Sequence, residues 1–193
     1  MDGPLSQGAG PLFFALQTNQ LVGCFKKVHP MPHPISTFGA VHTAISVLPL
    51  AAGLYSFVRY RAIEPARRSG QLYLVSMLLS VLTAFGLSST GGFNAGHALG
   101  ILALLVIGGS LLIRQLPLFP RLVPYLSQFG FSFSFFLLLV PAIGETLTRL
   151  PVAHPLATGP ESPLVRGTLL AWLAIFVVGS ALQMWWMRSQ RKR

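Results

Sequence analysis

Acidic side chains are scarce in this chain: Asp and Glu number four among 193 residues, and charged residues of either sign make up 9%. A water-soluble domain of this length rarely shows so little charge, which sets a soluble fold aside before any motif is considered. The scarcity also removes paired-carboxylate chemistry, because general acid–base work by two carboxyl groups needs both in one site. The lone cysteine, Cys24, can form no internal disulfide and reports no redox compartment. A phosphate-binding loop is missing too, since no Gly-Lys-Ser/Thr follows the Gly91-Gly92 turn. Ser88, Ser89 and Thr90 have no base nearby in sequence that would mark a nucleophile. No internal repeat of the kind that builds transporters around a midplane site is evident. These absences leave enzymatic activity without support.

What the chain has instead is long apolar runs. Five of them, at about 35–58, 72–87, 95–113, 122–143 and 167–187, approach the roughly 17–25 residues that a helix needs to cross a bilayer. A hydrophobic fraction of 52% and a mean hydropathy of +0.64 agree. The alternation of Phe129, Phe131, Phe133 and Phe135 imitates a strand, but an open strand in lipid would leave backbone groups unpaired, so a helix is expected there. The fold class predicted is all-α: a polytopic membrane protein, a bundle of five transmembrane helices spanning residues 35–193. Residues 1–34 form a separate external segment, whose apolar piece at 11–25 is too short and polar to span and suits the membrane interface.

The net charge of +10 is unevenly placed. Of the fourteen Lys and Arg, only Lys26, Lys27, Arg149 and Arg166 fall outside the segments that follow the first, third and fifth runs. The positive-inside rule then puts the Arg-rich segments and the C-terminus in the cytoplasm and the N-terminus outside, in the inner (cytoplasmic) membrane of the cell. Topology explains the basic residues, so no nucleic acid is expected as a partner; the lipid bilayer is, with a second copy or a membrane-complex partner as further candidates. Trp185-Trp186-Met187-Arg188 sets indoles and a cation at the end of the last run, as an interfacial anchor does. Leu21-Val22-Gly23-Cys24 looks like the lipobox of a bacterial lipoprotein, yet Met1–Gln20 lacks the basic n-region of a signal peptide, and an ordinary buried cysteine is expected.

Small and polar residues recur on helical spacings. His42, Ser46, Pro49, Gly53 and Ser56 form one stripe, Ser69, Tyr73, Ser76, Ser80 and Thr83 a second, and Gly96, His97, Gly100 and Gly108 a third. In lipid such stripes face other helices, since small residues let backbones approach and hydroxyls find partners there. The first three helices are therefore expected to form a close-packed core, with Pro49 kinking the first.

Residues with chemical potential gather at the outer side of this topology. His42 and His97 are candidate cofactor-binding residues, the two axial ligands of a b-type haem seated between apolar helices, with glycines of the first and third helices making room for the ring. A transition metal held by His42, His97 and Glu145 is a smaller variant of the same idea. Arg149 and His154 stand close in sequence; Glu145 and Arg149, four apart, suit either a surface ion pair or a site for a polar headgroup or small anion. His29 and His33, in a proline-rich strip, read as part of a stiff connector before they read as metal ligands. No catalytic residue is assigned. The leading expectation is a redox or metal cofactor in the His42/His97 pocket; the competing one is a non-catalytic membrane subunit or small-molecule-binding protein whose histidines only hold helices together.

The stretch from His42 to Gly53, then Pro65-Ala66-Arg67-Arg68-Ser69-Gly70-Gln71-Leu72-Tyr73, then Gly91-Gly92 and Gly96-His97-Ala98-Leu99-Gly100, resembles a group of uncharacterised bacterial membrane proteins. The resemblance covers about residues 38–113 and implies a multi-helix membrane fold without an established activity. Arg67 stands where the group's pattern has a histidine, and a later His-Arg-Trp-like segment is absent.

Overall fold

The computed structural model describes residues 37–87, 92–116, 120–151 and 154–191. The expected external segment 1–34, Cys24 and the two histidines of the proline-rich strip lie outside these residues. Five α-helices run in chain order: α1 (Thr37–Tyr60), α2 (Arg68–Ala84), α3 (Ala95–Ile113), α4 (Val123–Arg149) and α5 (Pro163–Gln190). All five are long and apolar enough to cross a membrane once the 3-10 turn Phe85–Leu87 is added to α2. No strand occurs among the described residues. The chain is an all-helical, multi-pass membrane protein.

Helix ends follow local chemistry. Asn94 caps α3, Ser162 caps α5 with Pro163 in its first turn, and Pro124 lies in the first turn of α4; proline is tolerated there because those N–H groups have no helical acceptor. The second helix begins four residues before the apolar run, at Arg68, since Arg68, Ser69 and Gln71 are competent helix formers despite their polarity. The fourth extends past the apolar run to Arg149, two residues before Pro151. At the end of α1 the chain turns through Arg61 in the left-handed region, φ 58°. Glycine or asparagine ordinarily fills such a helix cap.

Neighbouring helices are antiparallel. α1 packs along α2 and α3 along α4, while α5 lies mainly against α4 and the α2–α3 contact is thinner. The expectation of a tight three-helix core thus holds for α1 and α2; α3 turns mainly to α4. Of its small residues, Gly100 meets Val81 of α2 as anticipated, whereas Gly108 has nothing near it among the described residues. Tyr73, Met77, Phe131, Phe135, Ala52, Ala103 and Ile107 fill the core. Gly53 is needed where it stands, because a Cβ there would sit 2.5 Å from the ring of Phe135. A second aromatic layer, Phe129, Phe133 and Phe136 of α4 with Trp172 and Phe176 of α5, joins the last two helices.

Large apolar side chains such as Val58, Leu105, Leu170 and Ile175 point outward, 60–79% exposed. Polar side chains point inward: Ser56, Ser76, Ser80, Ser110, Ser132, Ser134 and Gln183 are buried. That inversion is what an apolar solvent demands, and it suits a surface in contact with lipid.

Candidate functional site

Both candidate histidines engage the last turn of α2, at consecutive residues. His42, half-buried on α1, has Nδ1 2.8 Å from Thr83 Oγ1 and Nε2 3.3 Å from Ser46 Oγ. The Thr83 hydroxyl donates to the carbonyls of Leu79 and Ser80, so the proton between His42 and Thr83 belongs to the imidazole Nδ1. His42 Nε2 is left as an acceptor for the Ser46 hydroxyl. Ser46 lies 2.6 Å from Ser80 Oγ and receives the proton of that group. The donors run Ser80 to Ser46 to His42 to Thr83 to backbone, so each ring nitrogen of His42 is engaged once, while Ser46 and Thr83 both accept and donate.

His97 is buried, 4% exposed, in the first turn of α3. Its backbone N–H donates to Asn94 Oδ1 at 3.1 Å, and the Asn94 N–H donates back to His97 Nδ1 at 3.2 Å. This is a capping box with histidine in the place usually held by Glu or Gln. Because Nδ1 accepts, Nε2 carries the ring proton and donates to the carbonyl of Ala84, 3.0 Å away. Ala84 is the last residue of α2, where carbonyls lack helical partners. The ring stacks on Phe85, with centroids 4.8 Å apart and planes within 5°. One imidazole thereby caps α3, satisfies the end of α2 and lies against an aromatic face.

In this structure each ring nitrogen of both histidines is engaged by a neighbouring side chain or backbone group. At the glycines of α1 and α3 that face other helices, the Phe135 ring lies against Gly53 and Val81 against Gly100. The set His42, His97 and Glu145 is not brought together, and among the described residues no three His, Cys, Asp or Glu are grouped to hold a metal ion. Glu145 pairs instead with Arg149 one turn along α4, both side chains well exposed. Exposed i,i+4 pairs contribute about 0.3–0.5 kcal/mol. His154 is exposed in the segment between α4 and α5.

The same polar ladder continues along the bundle. Ser56 donates to Ser69 at 2.9 Å, joining α1 to the start of α2. Tyr73 of α2 lies 2.8 Å from Ser134 of α4, and since Ser134 donates to Phe131 O, the phenol is the donor. Ser132 of α4 donates to Gln183 Oε1 at 2.8 Å, while Gln183 Nε2 donates to the carbonyl of Arg61 at 2.6 Å. Ser56, Ser69 and Tyr73 were legible as stripe positions, whereas Ser132 and Ser134 of the aromatic-rich α4 were not. Nor was Gln183: it is the one amide in the apolar run of α5, and its only signal was that side chain within a membrane-spanning stretch.

No protein-family model, curated protein or solved structure matches this chain.

Proposed function

We propose that this protein is a non-catalytic, membrane-embedded subunit whose histidines are interhelical clamps. The observation that carries this is the full engagement of all four ring nitrogens of His42 and His97 by groups of α1, α2 and the α3 cap. A haem or metal would have to displace hydrogen bonds that buried polar groups need, and each loss would leave a partner unpaired. In this proposal the basic ends of α1, α3 and α5 face the cytoplasm and His42 and His97 lie toward the outer face, in keeping with the placement of arginine. Its kinship is with the uncharacterised bacterial membrane proteins that residues 38–113 resemble.

A double-mutant cycle tests the clamp. Thermal unfolding in detergent is measured for His42→Ala, Thr83→Ala and the double variant. Interhelical hydrogen bonds in membrane proteins contribute about 0.6–2 kcal/mol, and a coupling of that size is expected. Strict additivity, with no loss from either substitution, would show that the pair holds nothing together.

A further inference from the structure

At the end of the bundle away from the histidines, a cleft of about 450 Å³ opens between the end of α1, the turn into α2, the start of α4 and the end of α5. Three arginines line it: Arg59, Arg61 and Arg67. None of the three has a carboxylate partner among the described residues. Glu64 also lines the cleft, and its carboxylate is held 2.7 Å from Arg114 at the end of α3. What the guanidiniums do touch is aromatic. Arg67 lies 4.1 Å over the ring of Tyr60, Arg59 5.4 Å from the same ring, and Arg61 5.5 Å over Trp186. A guanidinium resting on a ring face keeps its N–H edge free, and that planar fork matches the oxygens of a phosphate.

A second feature of the cleft is independent of the arginines. Gln128, on the first turns of α4, is 5% exposed and forms part of the wall. Its Nε2 has no hydrogen-bond partner among the described residues. A buried amide donor left unpaired costs about 1–3 kcal/mol, and what would relieve it is an acceptor in the cleft. Arg61 is held in its left-handed conformation by Gln183 and by its own N–H bond to Phe57 O at 2.9 Å. That geometry costs roughly 1–2 kcal/mol in a residue with a Cβ, and it sets the Arg61 side chain against Trp186 at the mouth.

We propose that this cleft binds the phosphate of an anionic phospholipid headgroup. Three arginines without a carboxylate partner among the described residues line it, and Gln128, whose amide donor is unsatisfied, forms part of its wall, at the level where helix ends and Trp186 meet the headgroup layer. The proposal is independent of which face of the membrane is cytoplasmic and of the role of the histidines.

The test uses the full chain purified in neutral detergent, with short-chain phosphatidylglycerol, short-chain phosphatidylcholine and inorganic phosphate each titrated against its unfolding temperature. Phosphatidylglycerol should raise that temperature saturably, and phosphatidylcholine should not. Combined Arg61→Gln and Arg67→Gln should weaken the phosphatidylglycerol response about tenfold or more, as loss of charge-assisted hydrogen bonds does. Arg149→Gln with Arg166→Gln, at the other end, should leave it unchanged. Gln128→Leu, which removes the unpaired donor at similar volume, should stabilise the lipid-free protein while weakening the response, so the proposal stays testable even if the double arginine variant does not fold. An equal response to inorganic phosphate would overturn the lipid assignment. A response that survives the cleft substitutions, or falls equally with those at the other end, would overturn the site.

Discussion

At the scale of single residues, the direction of each hydrogen bond decides what its loss costs. Tyr73 is fully buried and donates to Ser134, which itself donates to Phe131 O. Tyr73→Phe removes the donor and leaves Ser134 with its backbone acceptor, so a loss of about 0.5–1.5 kcal/mol is expected. Ser134→Ala strands the phenol without an acceptor in the core and should cost more, about 1–3 kcal/mol. Thermal unfolding in detergent reads the order; a Tyr73→Phe loss larger than that of Ser134→Ala would reverse the assigned direction. Gly53→Ala puts a methyl group into the Phe135 ring and should destabilise by about 1–3 kcal/mol through overpacking. Phe135→Leu in the same chain should recover part of that loss, which a purely backbone effect of alanine would not allow. Gly53 and Tyr73 were visible in the sequence because a helix repeats its face every three or four residues; Ser134, among the aromatics of α4, was not. The left-handed Arg61 was not visible, because no local residue type signals it; its conformation is held by Gln183, far along the chain.

Among the elements, α5 is the least embedded. Of its residues only Val165 and Gln183 are buried, so its hold on the bundle rests on the aromatic layer near Trp172 and on the amide of Gln183. Replacing Gln183 with Leu leaves the Ser132 hydroxyl and the Arg61 carbonyl without this partner. Hydrogen–deuterium exchange should then accelerate in residues 61–67 and in the C-terminal half of α5, with α1 and α2 near the histidines unchanged. A uniform acceleration would mean that Gln183 supports the whole bundle and is no local latch. The elements themselves were legible, since hydropathy over twenty residues is a direct statement about solvent. Their ends were less so. The second helix begins at Arg68 and the fourth runs on to Arg149, through polar residues that hydropathy discounts but helix geometry accepts. Glycine spacing marks a face of the third helix without naming the helix that meets it; Gly100 meets Val81, and a Cβ at Gly108 would meet nothing within 4 Å among the described residues.

For the whole molecule, the bundle sorts its ionisable groups by end. Glu64, Arg114, Arg61 and Arg67 gather at one end, and His42 and His97 near the other. Under the proposed orientation a reporter fused after Arg193 should be active only in the cytoplasm, and one inserted in the segment between α4 and α5 only outside; the opposite pair of results would invert the membrane placement while leaving the fold intact. The position of the histidines near one end of α2 was readable from spacing and topology. Their chemistry was not, because the same residue on an apolar helix serves as ligand or as clamp, and only the groups at each ring nitrogen distinguish the two. Absorption spectroscopy and metal analysis of the freshly purified protein test that distinction most directly. The clamp predicts no Soret band and no stoichiometric iron, copper or zinc, in the wild type as in His42→Ala and His97→Ala; one equivalent of haem or metal in the wild type, lost in either variant while the helices remain folded, would contradict it.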